Sequence, residues 1–188
     1  VLLVDGAREI IGLSLNKLGY SLNDKNPQHI KKAESDLHHL APQVRGVVGD
    51  EITMMLEQNE GSIAVVWSGV AAPLVQEGDK YNYVIPKEGS NLWFDNMVIP
   101  KTAQNKEGAY RFMNFLLDEK NNKQNTEWVG YATPNKEARK MLPKDIRNDH
   151  RFYPTKKEQQ RLEVYQDLGQ DTLSDYNESF LNFKMSLK

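Results

Sequence analysis

The sequence contains no cysteine, which excludes disulfide scaffolds, thiolate zinc sites and cysteine nucleophiles. It has no strong bias of charge either: 24 basic and 26 acidic side chains give a net charge of -2. A dedicated nucleic-acid binder would need clustered excess Lys and Arg to neutralise phosphates. No apolar run approaches the roughly 20 residues that a helix needs to cross a bilayer. There is no glycine-rich phosphate loop, no nucleophile elbow and no His-Glu-x-x-His. An enzyme working through two carboxylates would need one desolvated acid beside a polar one, and no pattern in the chain marks such a pair. An enzyme reading therefore has no positive support.

What is present is 188 residues, 39% of them apolar, with 12 glycines that lift the apolar share to about 45%. That is the low edge of the globular range and enough for one domain or two small ones. The chain opens on Val1-Leu2-Leu3-Val4, a continuous apolar run that reads as a strand buried on both faces. A domain seldom opens on such a strand, so the sequence is expected to be a fragment.

Asp5-Gly6 turns the chain into a helix with Ala7, Ile11, Leu15 and Leu18 at helical spacing, ended by Gly19. Asn26-Pro27 supplies a cap and a first-turn proline for a second helix, with Ile30, Ala33, Leu37 and Leu40 as its stripe and Pro42 as its stop. Val44 to Val48 is predicted as a strand, and Asp50 as the cap of a short helix. Ile63 to Trp67 follows as a strand, Ser68-Gly69 as a turn, then a brief helix to about Glu77 and a strand from Tyr81 to Ile85. This alternation favours an α/β layer fold with a mainly parallel sheet. After a strand predicted over Leu92 to Ile99, the texture becomes helical. Asn105 caps a helix with Ala109, Phe112, Met113 and Leu116 on one face, a second helix runs to Gly130-Tyr131, and a third starts at Thr133-Pro134-Asn135. Thr155 and Glu158 have capping-box spacing, the last helix carries Leu173, Tyr176, Phe180 and Phe183, and the polar stretch from Pro143 to Pro154 is the best linker candidate.

Glu34 and His38 form an i,i+4 pair that could hold a metal in principle, but among Lys31, Lys32 and Asp36 a solvated helix face explains them better. The remaining candidates are aromatic and acidic residues near strand ends, where α/β folds place ligands. Trp67 ends a predicted strand. Trp93 and Asp95 flank Phe94 and would share one side of the sheet. An acid beside a Trp is costly to bury unless it meets a cation. Glu9 lies one turn into the first helix, and Tyr131 follows the stop at Gly130. Singly, each has a structural explanation: Trp67 as core, Asp95 as a turn residue, Glu9 as favourable charge near a helix N-terminus. Together they suit a ligand cationic at its ends and apolar between, since carboxylates pair with ammonium groups while indole and phenol faces cover methylenes.

The order Asp5-Gly6-Ala7-Arg8-Glu9, Ile63 to Ser68-Gly69, Pro86-Lys87-Glu88-Gly89, Trp93-Phe94-Asp95-Asn96 and Gly130-Tyr131-Ala132-Thr133-Pro134-Asn135 resembles the bacterial spermidine/putrescine-binding proteins of polyamine ABC transporters. The resemblance spans nearly the whole chain. It implies a periplasmic-binding-protein-like α/β fold of two lobes with polyamine held between them, hinge closure, and delivery to a membrane permease without chemistry and without a cofactor. Glu9 then resembles the carboxylate that meets a ligand amino group, Trp67 and Trp93 the indoles that wall the methylenes, Asp95 the acid that fixes a terminal ammonium, and Tyr131 an aromatic near that acid. Tyr165 and Gln166 both fall near the slot of a helix-borne glutamine, and Gln166 is named for it. Gly6 departs from the pattern, since many relatives carry a second acid there. The resemblance begins at the middle of the family sequence. It implies that 1–92 and 143–188 form the second lobe and 93–142 the C-terminal part of the first, whose helices would expose apolar surface unless covered by a neighbour or second chain. It also implies an extracytoplasmic location, whether periplasmic, lipid-anchored or fused to the permease. Other solutes remain open, namely ferric iron, though iron binders of this architecture use adjacent tyrosines and no Tyr-Tyr pair occurs, or an anion, which would want helix N-termini and Arg where Glu9 and Asp95 stand. From a different class, an α/β enzyme or an interaction domain would show a perturbed acid–base pair elsewhere.

Overall fold

The computed structural model describes residues 1–76, 78 and 80–187. The chain divides into two compact units, one made of Val1–Trp67, Val84–Trp93 and Lys157–Lys188 and the other of Ser68–Tyr83 and Phe94–Lys156.

The first unit is built on a parallel sheet of β2 (Gly46–Val48), β1 (Leu2–Val4) and β3 (Ala64–Val65) in that order. Leu3 is in register with Val47 on one side and Val65 on the other. As the central strand, β1 is fully buried, which is why its residues are apolar without alternation. Helix α1 (Ala7–Lys17) packs on both α2 (Pro27–Leu40) and α10 (Gln170–Met185). Their stripes interlock: Ile10, Ile11 and Leu15 from α1, Ile30, Ala33 and Leu37 from α2, and Tyr176, Phe180 and Phe183 from α10 form one core with Leu3 and Val4. Asn26 caps α2 by accepting from the Gln28 N–H at 2.9 Å, with Pro27 in the first turn. Helix α3 (Glu51–Glu57) follows Asp50, whose side chain makes no capping bond; instead Glu51 accepts from the Gly49 N–H at 3.0 Å. A second parallel pair joins β4 (Ser90–Asn91) to β5 (Leu162–Glu163).

The second unit is helical: α4 (Ser68–Gln76), α5 (Lys106–Leu117), α6 (Glu119–Val129), α7 (Lys136–Met141), α8 (Lys144–Arg147) and, at its C-terminal end, the first residue of α9 (Lys156–Gln159). The Gly-Tyr-x-Thr-Pro-Asn motif is its pivot. Gly130 ends α6 with φ +73°, a left-handed conformation that a side chain resists, and Asn135 starts α7 by accepting from the Glu137 and Ala138 N–H groups. Between them Thr133 donates to Asn122 Oδ1 at 2.6 Å, and its N–H donates to the Tyr153 hydroxyl at 3.2 Å. The stretch from Pro143 to Pro154 carries α8 and buries Tyr153.

Several expected elements differ. Ser68-Gly69 opens α4 and is not a separate turn, and the strand before it shrinks to Ala64–Val65. The expected helix end near Glu77 lies outside the described residues. Among the described residues neither Tyr81–Ile85 nor Leu92–Ile99 forms a strand; Val84 is 68% exposed and Val98 80%, so these apolar side chains face solvent where a buried strand would cover them. The Thr155–Glu158 spacing leads into a single helical turn, after which Leu162 pairs in β5. No helix among the described residues is long and apolar enough to cross a membrane.

Candidate functional site

Within the first unit, Glu9 lies in the first turn of α1, where its charge meets the positive end of the helix. Its half-buried carboxylate folds back over the Cα of Gly6, into the space that a side chain at position 6 would take. A side chain at position 6 would therefore collide with this carboxylate unless Glu9 moved. Tyr165 lies on the segment between β5 and α10, its ring faced by the guanidinium of Arg8, which precedes Glu9 in the first turn of α1. Burial and the Glu9 carboxylate push the Tyr165 hydroxyl well above its ordinary range, with Arg8 acting the other way. Arg8 lies over the Tyr165 ring at 4.4 Å from its centroid and 5.4 Å from that of Tyr176. The Tyr176 hydroxyl, donating to the Leu22 and Asp24 carbonyls, is pushed up to about 12, chiefly by burial.

Trp67 lies just past β3, half-buried against the central core. Trp93 is half-buried at the end of the segment that contains β4. Gln166 is exposed; its backbone is bonded, the N–H to Asn23 Oδ1 at 2.9 Å and the carbonyl to Arg8 Nη1 at 3.4 Å.

Within the second unit, the Tyr131 ring lies flat against Gly69 in the first turn of α4. A Cβ at Gly69 would enter the ring, so only glycine permits this approach. Tyr83 stacks on Phe152 with centroids 5.6 Å apart, and its hydroxyl is pushed up by burial and by Tyr131. Asp95 is exposed and forms no ion pair among the described residues. It does not share a strand face with Trp93, because no strand forms there. The six expected residues thus fall as Glu9, Trp67, Trp93 and Gln166 in one unit and Asp95 and Tyr131 in the other.

No group of three or more His, Asp or Glu side chains gathers into metal-binding geometry among the described residues. His38 bonds Ser186 at 3.0 Å, and its other ring nitrogen stands 3.9 Å from Glu34. Arg8 and Asn23 escaped the sequence reading. A signal for Arg8 was available: a cation in the first turn of a helix is unfavourable there, so its presence beside Glu9 needs another reason.

Residues 5–154 match the family described as bacterial extracellular solute-binding protein. The chain is 38% identical over 184 residues to the spermidine/putrescine-binding periplasmic protein of Salmonella typhimurium, covering 98% of this chain and 53% of that protein. A solved structure from Listeria monocytogenes, described as a spermidine/putrescine ABC transporter, superposes with a TM-score of 0.92 at 55% identity, over 98% of this chain and 57% of that one. The spermidine/putrescine ABC transporter substrate-binding protein of Streptococcus pneumoniae gives 0.88 at 45% identity, over 100% of this chain and 58% of that one. The chain spans about half the length of the curated relatives it matches.

Proposed function

This chain belongs to the bacterial extracellular solute-binding proteins, and on that premise we propose that it serves polyamine capture for an ABC transporter. It binds spermidine or putrescine between two lobes outside the cytoplasm and hands it to the permease, doing no covalent chemistry. Residues 1–92 and 143–188 form the second lobe, and 93–142 belong to the first. Membrane contact comes through the permease, or through an anchor outside these residues. The observation that carries the reading is a half-buried carboxylate, Glu9, in a helix turn whose Arg8 faces the aromatic ring of Tyr165. It occurs in a chain that matches proteins named for spermidine and putrescine along 98% of its length.

The chemistry follows from the ligand. A primary ammonium loses hydration when it enters a cleft and recovers it from a carboxylate, while the methylenes between ammonium groups prefer aromatic faces to water. Glu9 takes one amino group, Trp67 and Trp93 wall the methylenes, and Asp95 with Tyr131 receives the far end. Gln166 contributes a hydrogen bond near Glu9. Closure of the lobes supplies the desolvation that strengthens each contact.

The test is a thermal-shift series with putrescine, spermidine, ferric citrate and sulfate. It is run on this chain and on a chimaera in which the chain replaces the segment it matches in the Streptococcus pneumoniae relative. Ligand that binds only the folded state raises Tm by mass action. Polyamines should stabilise the chimaera and the other solutes should not; a chimaera indifferent to polyamines overturns the reading. Asp95→Asn should remove the shift more completely than Glu9→Gln, because Asp95 anchors a terminal charge while Glu9 is already engaged at its helix end. The exposed apolar residues of α5 and α6, among them Phe112 at 61% and Trp128 at 89%, lead this chain by itself to self-associate. A concentration-independent monomer in light scattering would count against that part.

A further inference from the structure

The segment that carries Tyr165 and Gln166 lies beyond the end of β5, where no strand partner is left for its backbone. Its groups are held instead by one side chain. Asn23 donates from Nδ2 to the Val164 carbonyl at 3.0 Å and accepts at Oδ1 from the Gln166 N–H at 2.9 Å. These two bonds straddle Tyr165, so the carboxamide stands in for a neighbouring strand. The same Oδ1 accepts from Arg8 Nη2 at 2.8 Å. Arg8 thereby links α1, Asn23, the Tyr165 ring and the Gln166 carbonyl in one closed arrangement. Glu163, the last residue of β5, adds a bond from the Leu22 N–H at 3.1 Å and one from the Ser21 hydroxyl. Arg8 Nε is buried with no hydrogen-bond partner among the described residues.

We propose that Arg8 and Asn23 are positioning residues that fasten the segment carrying Tyr165 against the helix turn that bears Glu9 before ligand arrives, so that an ammonium group meets an acid and an aromatic ring on elements already held together. The inference rests on the polyamine reading above. Its physical content is preorganisation: ordering the 164–166 segment at the moment of binding would subtract from affinity, and the clamp removes that cost. Neither residue needs to touch ligand.

The test uses the chimaera described above, with 3-fluorotyrosine incorporated and the Tyr165 signal assigned from Tyr165→Phe. Putrescine binding is measured by calorimetry alongside the ligand-free ¹⁹F spectrum. Asn23→Ala, which loses all three bonds, and Arg8→Lys, which keeps the charge but loses the planar fork, should each weaken binding about tenfold and shift or broaden the Tyr165 signal. Asn23→Asp keeps both acceptor bonds but turns a carboxylate oxygen toward the Val164 carbonyl in place of the donor, so it should fall between the wild type and Asn23→Ala in both affinity and signal. It also serves if the alanine variant fails to fold. Wild-type affinity in Asn23→Ala and Arg8→Lys overturns the proposal, as does an unmoved Tyr165 signal. If the wild type binds no polyamine, the functional reading fails. A moved signal then leaves the clamp as a fastening of the fold, and its proposed service to binding is overturned with that reading.

Discussion

Helix α10 buries Tyr176, Phe180 and Phe183 in the core of its unit, whereas α5 in the other unit carries Tyr110, Phe112, Phe115 and Leu117 and has no buried residue. Both helices are amphipathic, so periodicity alone does not separate them. The difference is what stands opposite. Helix α10 meets two apolar stripes on α1 and α2, backed by a sheet whose central strand is wholly apolar. Helix α5 meets α6, whose residues are mostly charged or amide side chains. The second unit also has polar bonds at element ends. Asn121 and Asn122 donate to the last carbonyls of α5, Asn135 donates to Leu117, and Thr133 links Asn122 to Tyr153. The first unit rests on large interlocked apolar side chains, whereas the second buries a smaller set, Leu74, Leu142 and Tyr153 among them, and adds caps and side-chain bonds to the backbone.

That contrast can be broken by mutation. Phe183 is 0% exposed, and Phe183→Ala should remove about 3–5 kcal/mol of stability in urea unfolding, while Phe112→Ser should stay within about 0.5 kcal/mol. Equal losses would mean that the two helices are not differently placed. Thr133→Val removes the hydroxyl that donates to Asn122 and accepts from the Asn135 N–H. It keeps the side-chain volume, so the expected loss of about 1–2 kcal/mol measures the polar fastening alone. A neutral result would show that the second unit is not held at this corner.

The smallest effect concerns acid. Bonds from Arg151 hold the Asp149 carboxyl below its ordinary 3.8, against a burial effect that pushes it up. In the first unit burial pushes Glu34 up, but bonds from Lys31, Ser179 and Asn182 outweigh it and leave the group below its ordinary 4.5. A folded value lowered in this way means that the unfolded chain takes up the proton first as pH falls. The contribution is complete above the ordinary value and is lost as pH drops through the folded one. Asp149→Asn should therefore cost under about 1 kcal/mol at pH 7 and progressively less as pH falls below 3.8, flattening part of the acid limb. An unchanged pH profile in the variant would remove Arg151 as the cause.

The helices were legible because their determinants are local. Asn26 and Asn135 reach N–H groups two or three residues on, and Gly130 ends α6 through its own φ. The buried strand Leu2–Val4 was legible because a fully buried strand needs no polar face. The extended segments were not. Tyr81–Ile85 has strand composition but forms no strand among the described residues, while Ser90–Asn91, without that composition, pairs with Leu162–Glu163. Glu9, Trp67, Trp93, Asp95, Tyr131 and Gln166 could be picked out as acids, aromatics and an amide in a familiar order, but not by what surrounds them. Trp93 and Asp95 were assigned to one strand face, and the backbone there forms none.

By itself the sequence determined where helices start and stop, because capping and i→i−4 bonding are settled within a few residues. It also determined the central strand and the residue types available to a cationic, methylene-rich ligand. Only the tertiary structure decided which strands pair, which amphipathic face is covered, and that Asn23 grips the backbone around Tyr165. That last contact joins positions 141 and 143 residues apart. Contacts at such separations depend on how the packed elements bring distant chain segments together, which no local pattern encodes.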